Sequence, residues 1–304
     1  MNNHIQDKKA YVTGFILVVT AGLIWSFGAV VVKHIENGHD FVWQYLFLRG
    51  LTIALILSIY LAFKEGRRFK SNFKRAGMPG LIGGVCLAFA FIGFIFSITL
   101  VTAAMTLFML AIMPFLTAML AFLFLNEKLR GATIISMFIA FIGVFIMVQE
   151  EFFGDTLIGI LMGLLSALGF AGFTVSLRWK AETPKFTTVI IAGVLCSSIS
   201  LAILGIQNFD IYLSPANCFW SILHGILVAS GMICYTSGTR NVPAGEAALL
   251  SLMEVVAGIL WVWLPFFGIN EVPSISTLIG GSFILLAIAY QSLGTRQKTM
   301  PSTT

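Results

Sequence analysis

The sequence predicts an all-α integral membrane protein, with ten transmembrane helices arranged as two inverted five-helix repeats. Three observations carry that expectation. The 304 residues are 58% hydrophobic and only 10% charged, too few charges to clothe a soluble surface of this size. The apolar residues fall into ten stretches of roughly twenty residues, the length at which a helix rising 1.5 Å per residue crosses a bilayer. The second half of the chain repeats the pattern of the first.

In chain order the stretches are Tyr11–Lys33, Phe41–Phe63, Met78–Thr99, Ala103–Leu125 and Ala132–Val148, then Leu157–Arg178, Phe186–Ile206, Cys218–Thr239, Glu246–Phe267 and Ile275–Ser292. They group into repeats over 11–149 and 156–292, between polar tails 1–10 and 293–304. The first stretch is too long for a signal-peptide core and lacks a small-residue cleavage site, so no cleaved leader is expected.

The net charge of +5 suggests a nucleic-acid partner until it is mapped onto the loops. With the N-terminus in the cytoplasm, Lys8, Lys9, Lys64, Arg67, Arg68, Lys70, Lys74, Arg75, Lys128, Arg130, Arg178, Lys180, Lys185, Arg240, Arg296 and Lys298 all lie inside. Lys33 alone lies outside, and Arg49 is within a helix. A partition of 16 to 1 predicts both termini cytoplasmic in a bacterial-type inner membrane. The Lys64–Arg75 segment then reads as a topology anchor near anionic lipid rather than a nucleic-acid patch.

Cys86, Cys196, Cys218 and Cys234 form no CxxC or Cys/His spacing, so they read as small apolar residues and no metal site is expected. No cofactor is expected either. There is no Walker A motif, no GxSxG and no HExxH, which removes ATP hydrolysis by this chain and the commonest hydrolase chemistries.

The repeat is visible residue by residue. Ala21–Lys33 lies over Ser166–Arg178, so Trp25 meets Phe170 and Lys33 meets Arg178. Phe96–Thr99 lies over Thr236–Thr239, and Leu125-Asn126-Glu127 over Ile269-Asn270-Glu271. An odd number of helices per half sends the second copy in from the opposite side. Such duplication is expected to set a functional site between the halves, near the bilayer midplane.

These segments resemble the ten-helix branch of the drug/metabolite transporter superfamily, built from two EamA-like domains. The likeness runs from about Gly14 to Ser292 and rests on Trp25-Ser26 before Lys33, Phe47-Leu48-Arg49, and Ile112-Met113-Pro114 before Leu125-Asn126-Glu127. Leu252-Met253-Glu254 before Asn270-Glu271 completes it. Ser26 stands where the family usually has glycine, and Val255 where it usually has proline, so the shape of the substrate site departs from the family pattern. The resemblance implies secondary transport of small metabolites, often amino acids and commonly outward, by alternating access. It also puts Glu254 near the central cavity.

Two charges fall deep inside apolar helices, Arg49 and Glu254. Each costs about 2.5–3.5 kcal/mol near the bilayer centre even on the lenient insertion scale. Three readings stand: a structural Arg49–Glu254 ion pair, contact of one or both with substrate, or proton coupling through Glu254. Arg49 also has the option of snorkelling to the outer interface. Trp25 is a wall for packing or ligand, with Phe170 as its mate. His224 reads as a neutral histidine bonded to a neighbouring helix or as a gate. Pro114 is the expected hinge of the fourth span. Trp43, Trp179 and Trp220 read as interfacial, as does Tyr235. The glycines read as close helix contacts, and most Phe residues as lipid-facing.

The substrate-binding candidates are therefore Trp25, Arg49, Phe170 and Glu254, with Pro114 and His224 as gating or hinge candidates. The expected partners are a small polar or amphipathic metabolite, membrane lipid, and a coupled proton or exchanged solute. The alternatives are a membrane enzyme acting on lipid-linked substrates, which would need acidic clusters for Mg²⁺, and a channel or interaction subunit, which would need a polar stripe.

Overall fold

The computed structural model describes residues 2–66, 69–129, 131–149, 155–180, 182–242 and 244–296. Those residues are almost entirely helical: α1 (Asn2–Lys33), α2 (Val42–Glu65), α3 (Phe69–Leu100), α4 (Ala103–Ala111), α5 (Met113–Leu125), α6 (Gly131–Val148), α7 (Asp155–Trp179), α8 (Lys185–Gln207), α9 (Pro215–Gly238), α10 (Ala244–Trp263) and α11 (Ile275–Arg296). No strand occurs among the described residues. Among the described residues eight spans are long and apolar enough to cross a membrane, α4 and α5 counting as one, and two shorter apolar helices lie at Met253–Trp263 and Ile275–Gln291. The protein is a multi-pass membrane protein. Its outer surface is correspondingly greasy: Phe63, Phe124, Phe138, Phe141 and Phe145 are all largely exposed.

Local chemistry accounts for the breaks. Thr102 caps α4 by accepting the Met105 N–H, and α4 stops at Ile112 because Pro114 cannot supply a helical N–H there. Pro114 instead sits in the first turn of α5, the position proline tolerates. The segment read as a loop anchor is partly helical. α3 starts at Phe69 and bends at Gly77 (φ 49°), two residues before Pro79, a left-handed conformation that glycine adopts without a Cβ clash. Six cations in a dozen residues hid that helix from hydropathy. The ninth expected span ends early as a helix, at Trp263, and finishes in a 3₁₀ turn over Pro265–Phe267.

Most packing crosses between the halves. α1 packs on α9 and α10, while α7 packs on α3 and on α4–α5. α2 packs on α8 and α9, α3 on α8, and α6 on α11. Exchanging α1–α6 for α7–α11 in order, with α4 and α5 taken together, maps this set of contacts onto itself. Glycine pairs mark the closest crossings. A Cβ on Gly14 would stand 2.8 Å from the Gly238 carbonyl oxygen, and one on Gly238 2.7 Å from that of Gly14. Gly50 and Gly193 oppose each other at 2.8 Å both ways, and Gly143 and Gly280 at 2.5 and 2.3 Å. Backbones this close leave no room for any side chain, as small-residue seams in membranes require.

These contacts also fix helix direction. Gly14 faces Gly238 while Gly28 faces His224, so α1 and α9 run antiparallel. Gly159 faces Leu100 and Gly169 faces Cys86, so α3 and α7 do too. Lys33, bonded to Val101 just past α3, therefore lies at the opposite end of the bundle from Arg178.

Candidate substrate site between the halves

Arg49 sits on α2 at 3% exposure, walled by α3, α8 and α9. Its guanidinium carbon lies 4.7 Å above the Phe91 ring. A Cβ on Gly225 of α9 would stand 3.1 Å from its carbonyl oxygen, and Cys196 of α8 lies within its electrostatic reach. One turn earlier on α2, buried Tyr45 shares a 2.6 Å hydrogen bond with Nδ1 of His224, which is itself 3% exposed. The other ring nitrogen of His224 faces Gly28 of α1, which is a glycine because a Cβ there would come within 3.1 Å. The expected bond between His224 and a neighbouring helix is present, and its partner is Tyr45.

The structural ion pair between Arg49 and Glu254 is not formed. Among the described residues Arg49 has no acidic partner, and its Nε and Nη1 have no hydrogen-bond partner. Snorkelling fails as well, because the head is buried rather than raised to an interface. The reason is the position of Glu254 on α10. Its backbone nitrogen lies by Gly22 of α1, whereas His224, beside Arg49, lies by Gly28. Six residues of helix separate those levels, about 9 Å.

Glu254 is half-buried and in the electrostatic reach of Tyr235 on α9. Tyr235 packs on Trp25, with ring centroids 5.5 Å apart. The Trp25 indole donates to the Val228 carbonyl at 3.4 Å and fits there because position 231 is glycine, where a Cβ would stand 2.2 Å from the indole nitrogen. Tyr235 thus packs into the α1/α9 seam, three residues before the end of α9. Trp43 meets Phe96 edge-on and Trp220 lies tilted against His34, each with centroids 4.9 Å apart, while Trp179 is 54% exposed.

Phe170, the repeat-mate of Trp25, lies in a different wall. Its ring meets Phe91 edge-on at 6.3 Å, so Phe170, Phe91 and Arg49 form a chain from α7 through α3 to α2. The structure therefore divides the site candidates into two groups along the α1/α9 seam. Arg49, Tyr45, His224, Phe91 and Phe170 form one, and Trp25, Tyr235 and Glu254 form the other. Pro114 belongs to neither and marks the α4/α5 break. Tyr45, Phe91 and Tyr235 were not singled out as site residues by sequence, and only the period of α2, setting Tyr45 one turn from Arg49, hinted at any of them.

No group of three or more His, Cys, Asp or Glu side chains suited to a metal occurs among the described residues. The profile of the EamA-like transporter family matches residues 12–149 and again residues 157–293. The chain belongs to the EamA-like transporter family. Similar proteins include an uncharacterized transporter of Helicobacter pylori, 26% identical over 268 residues, covering 84% of this chain and 87% of that one. The pseudopaline exporter CntI of Pseudomonas aeruginosa is 25% identical over 278 residues, covering 90% and 94%. A solved crystal structure superposes with a TM-score of 0.61 at 17% identity, spanning 94% of this chain and 99% of that one, a likeness of fold alone.

Proposed function

We propose that this family member is a secondary transporter that exports a small polar or amphipathic metabolite, an amino acid or related compound, across the inner membrane by alternating access. The two five-span units are inverted repeats with both termini cytoplasmic, and the substrate binds between them. The placement of the repeat-mates Lys33 and Arg178 at opposite ends of the bundle supports the inversion, the lysine and arginine partition supports the orientation, and a relative named as an exporter supports the direction.

The observation that carries this reading is the unpaired Arg49. A desolvated cation–π contact contributes about 2 kcal/mol, less than the several kcal/mol needed to bury a charge. The shortfall is made good when a ligand brings carboxylate oxygen to the free Nε and Nη1 donors. Glu254, about 9 Å further along the seam, suits the ammonium of the same molecule or a coupled proton. Trp25 and Phe170 supply flat apolar walls on opposite sides.

The test is uptake of a panel of labelled amino acids and related carboxylates by purified protein in liposomes, with and without a pH gradient. Transport of at least one carboxylate by wild type, lost in Arg49→Gln with folding intact, is expected. Wild-type transport by Arg49→Gln would contradict the assignment.

A further inference from the structure

We propose that Lys33–Glu271 and Arg178–Glu127 are paired gates, one at each end of the bundle, that close in alternation; the inference rests on the alternating-access reading above. The two pairs are built alike. Lys33 and Arg178 occupy matching positions at the C-terminal ends of α1 and α7. Glu127 and Glu271 each follow an asparagine in the left-handed conformation, Asn126 at φ 54° and Asn270 at φ 53°. In each pair the cation comes from one half of the chain and the carboxylate from the other, so each pair pins the halves together at one end only.

Their present states differ. The Lys33 Nζ lies 2.9 Å from Glu271 Oε2 and also donates to the Val101 carbonyl at 3.2 Å. The other carboxylate oxygen, Oε1, accepts the Ala103 N–H at 2.8 Å. These side chains are only 20% and 18% exposed. Nearby, Asn217 of α9 bonds both the N–H and the carbonyl of Glu36, and Gln44 donates to the Asp210 carbonyl. That end is sealed by bonds between halves.

At the other end Arg178 meets both oxygens of Glu127 at 2.7 Å, but the side chains are 47% and 42% exposed. At the same end of the bundle, though not lined by this pair, Leu61, Lys185, Thr236 and Arg240 border a cavity of about 300 Å³ between the ends of α2, α8 and α9. A half-buried, multiply bonded pair outweighs a solvated one. Both pairs are formed here, and the structure is the state in which the Lys33 end is desolvated and the Arg178 end stays solvated. In the opposite state the geometry predicts that Arg178–Glu127 becomes the desolvated pair and Lys33–Glu271 the exposed one.

The two ends are measured by electron–electron spin-label distances in protein whose four cysteines are replaced by alanine. One label pair is His39→Cys with Val272→Cys, and the other Lys128→Cys with Lys180→Cys. Glu271→Gln should shift the ratio about tenfold toward a longer 39–272 distance with a concurrent shortening at 128–180, since allosteric couplings are typically worth 5- to 150-fold. Arg178→Gln, on a surface where loss of a pair is tolerated, should move both distances the other way by about threefold. If Glu271→Gln does not fold, Arg178→Gln alone decides. Ends that move independently, or distances that ignore both variants while still showing two populations, overturn the gates. A single unchanging population at both ends in every protein would overturn alternating access itself.

Discussion

Arg49 and Glu254 were recognisable in sequence because ionised groups are rare inside apolar spans, but their relation was not. The sequence left an ion pair between them open, whereas packing on α1 sets them nearly two turns apart and leaves each with aromatic neighbours instead. Removing either charge is consequently unlike breaking an ion pair. Glu254→Gln should leave the melting temperature essentially unchanged, since no cation is orphaned, and lower transport by about tenfold or more, about 1.4 kcal/mol of lost transition-state stabilisation. A large fall in melting temperature would reveal an unseen structural partner. Tyr45→Phe leaves His224 Nδ1 buried without its 2.6 Å partner, so a destabilisation of about 1–3 kcal/mol is expected in thermal or denaturant unfolding. Gly231→Ala should push the Trp25 indole off α9, seen as a change in tryptophan fluorescence, because a Cβ there would stand 2.2 Å from the indole nitrogen.

At the scale of elements, hydropathy alone revealed the spans, and Pro114 marked the break between α4 and α5. What it missed follows from its averaging. The cation-rich start of α3 is helical despite its polarity, and Gly77 bends it where no turn signal longer than Gly-Met-Pro is present. Glycines could be read as contacts, but their partners could not, because pairing of distant helices leaves no trace in a single chain's period. Gly143 and Gly280 are the sharpest case, with mutual approaches of 2.5 and 2.3 Å across α6 and α11. Gly143→Val should cost about 1–3 kcal/mol by forcing these helices apart. A variant that melts with wild type would show that the seam is looser than its geometry.

At the scale of the whole molecule, the halves are interleaved rather than laid side by side, since α1 and α2 find their main neighbours in the second half. Self-comparison of the sequence exposed the duplication that the family profile also finds, but not that the helices packed around Arg49 would come from both halves. On the proposed mechanism, an interleaved bundle would give a ligand at Arg49 leverage on both halves at once and so link occupancy to the closure of either end. The most direct measurement of that central claim is the stabilisation of purified protein by a transported carboxylate, compared with its amide, in wild type and Arg49→Gln. With the carboxylate at a hundred times its dissociation constant, wild type should gain about 2.7 kcal/mol, and the amide should give little. Arg49→Gln should gain nothing from either. Equal stabilisation of both proteins, or of wild type by both ligands, would contradict the account.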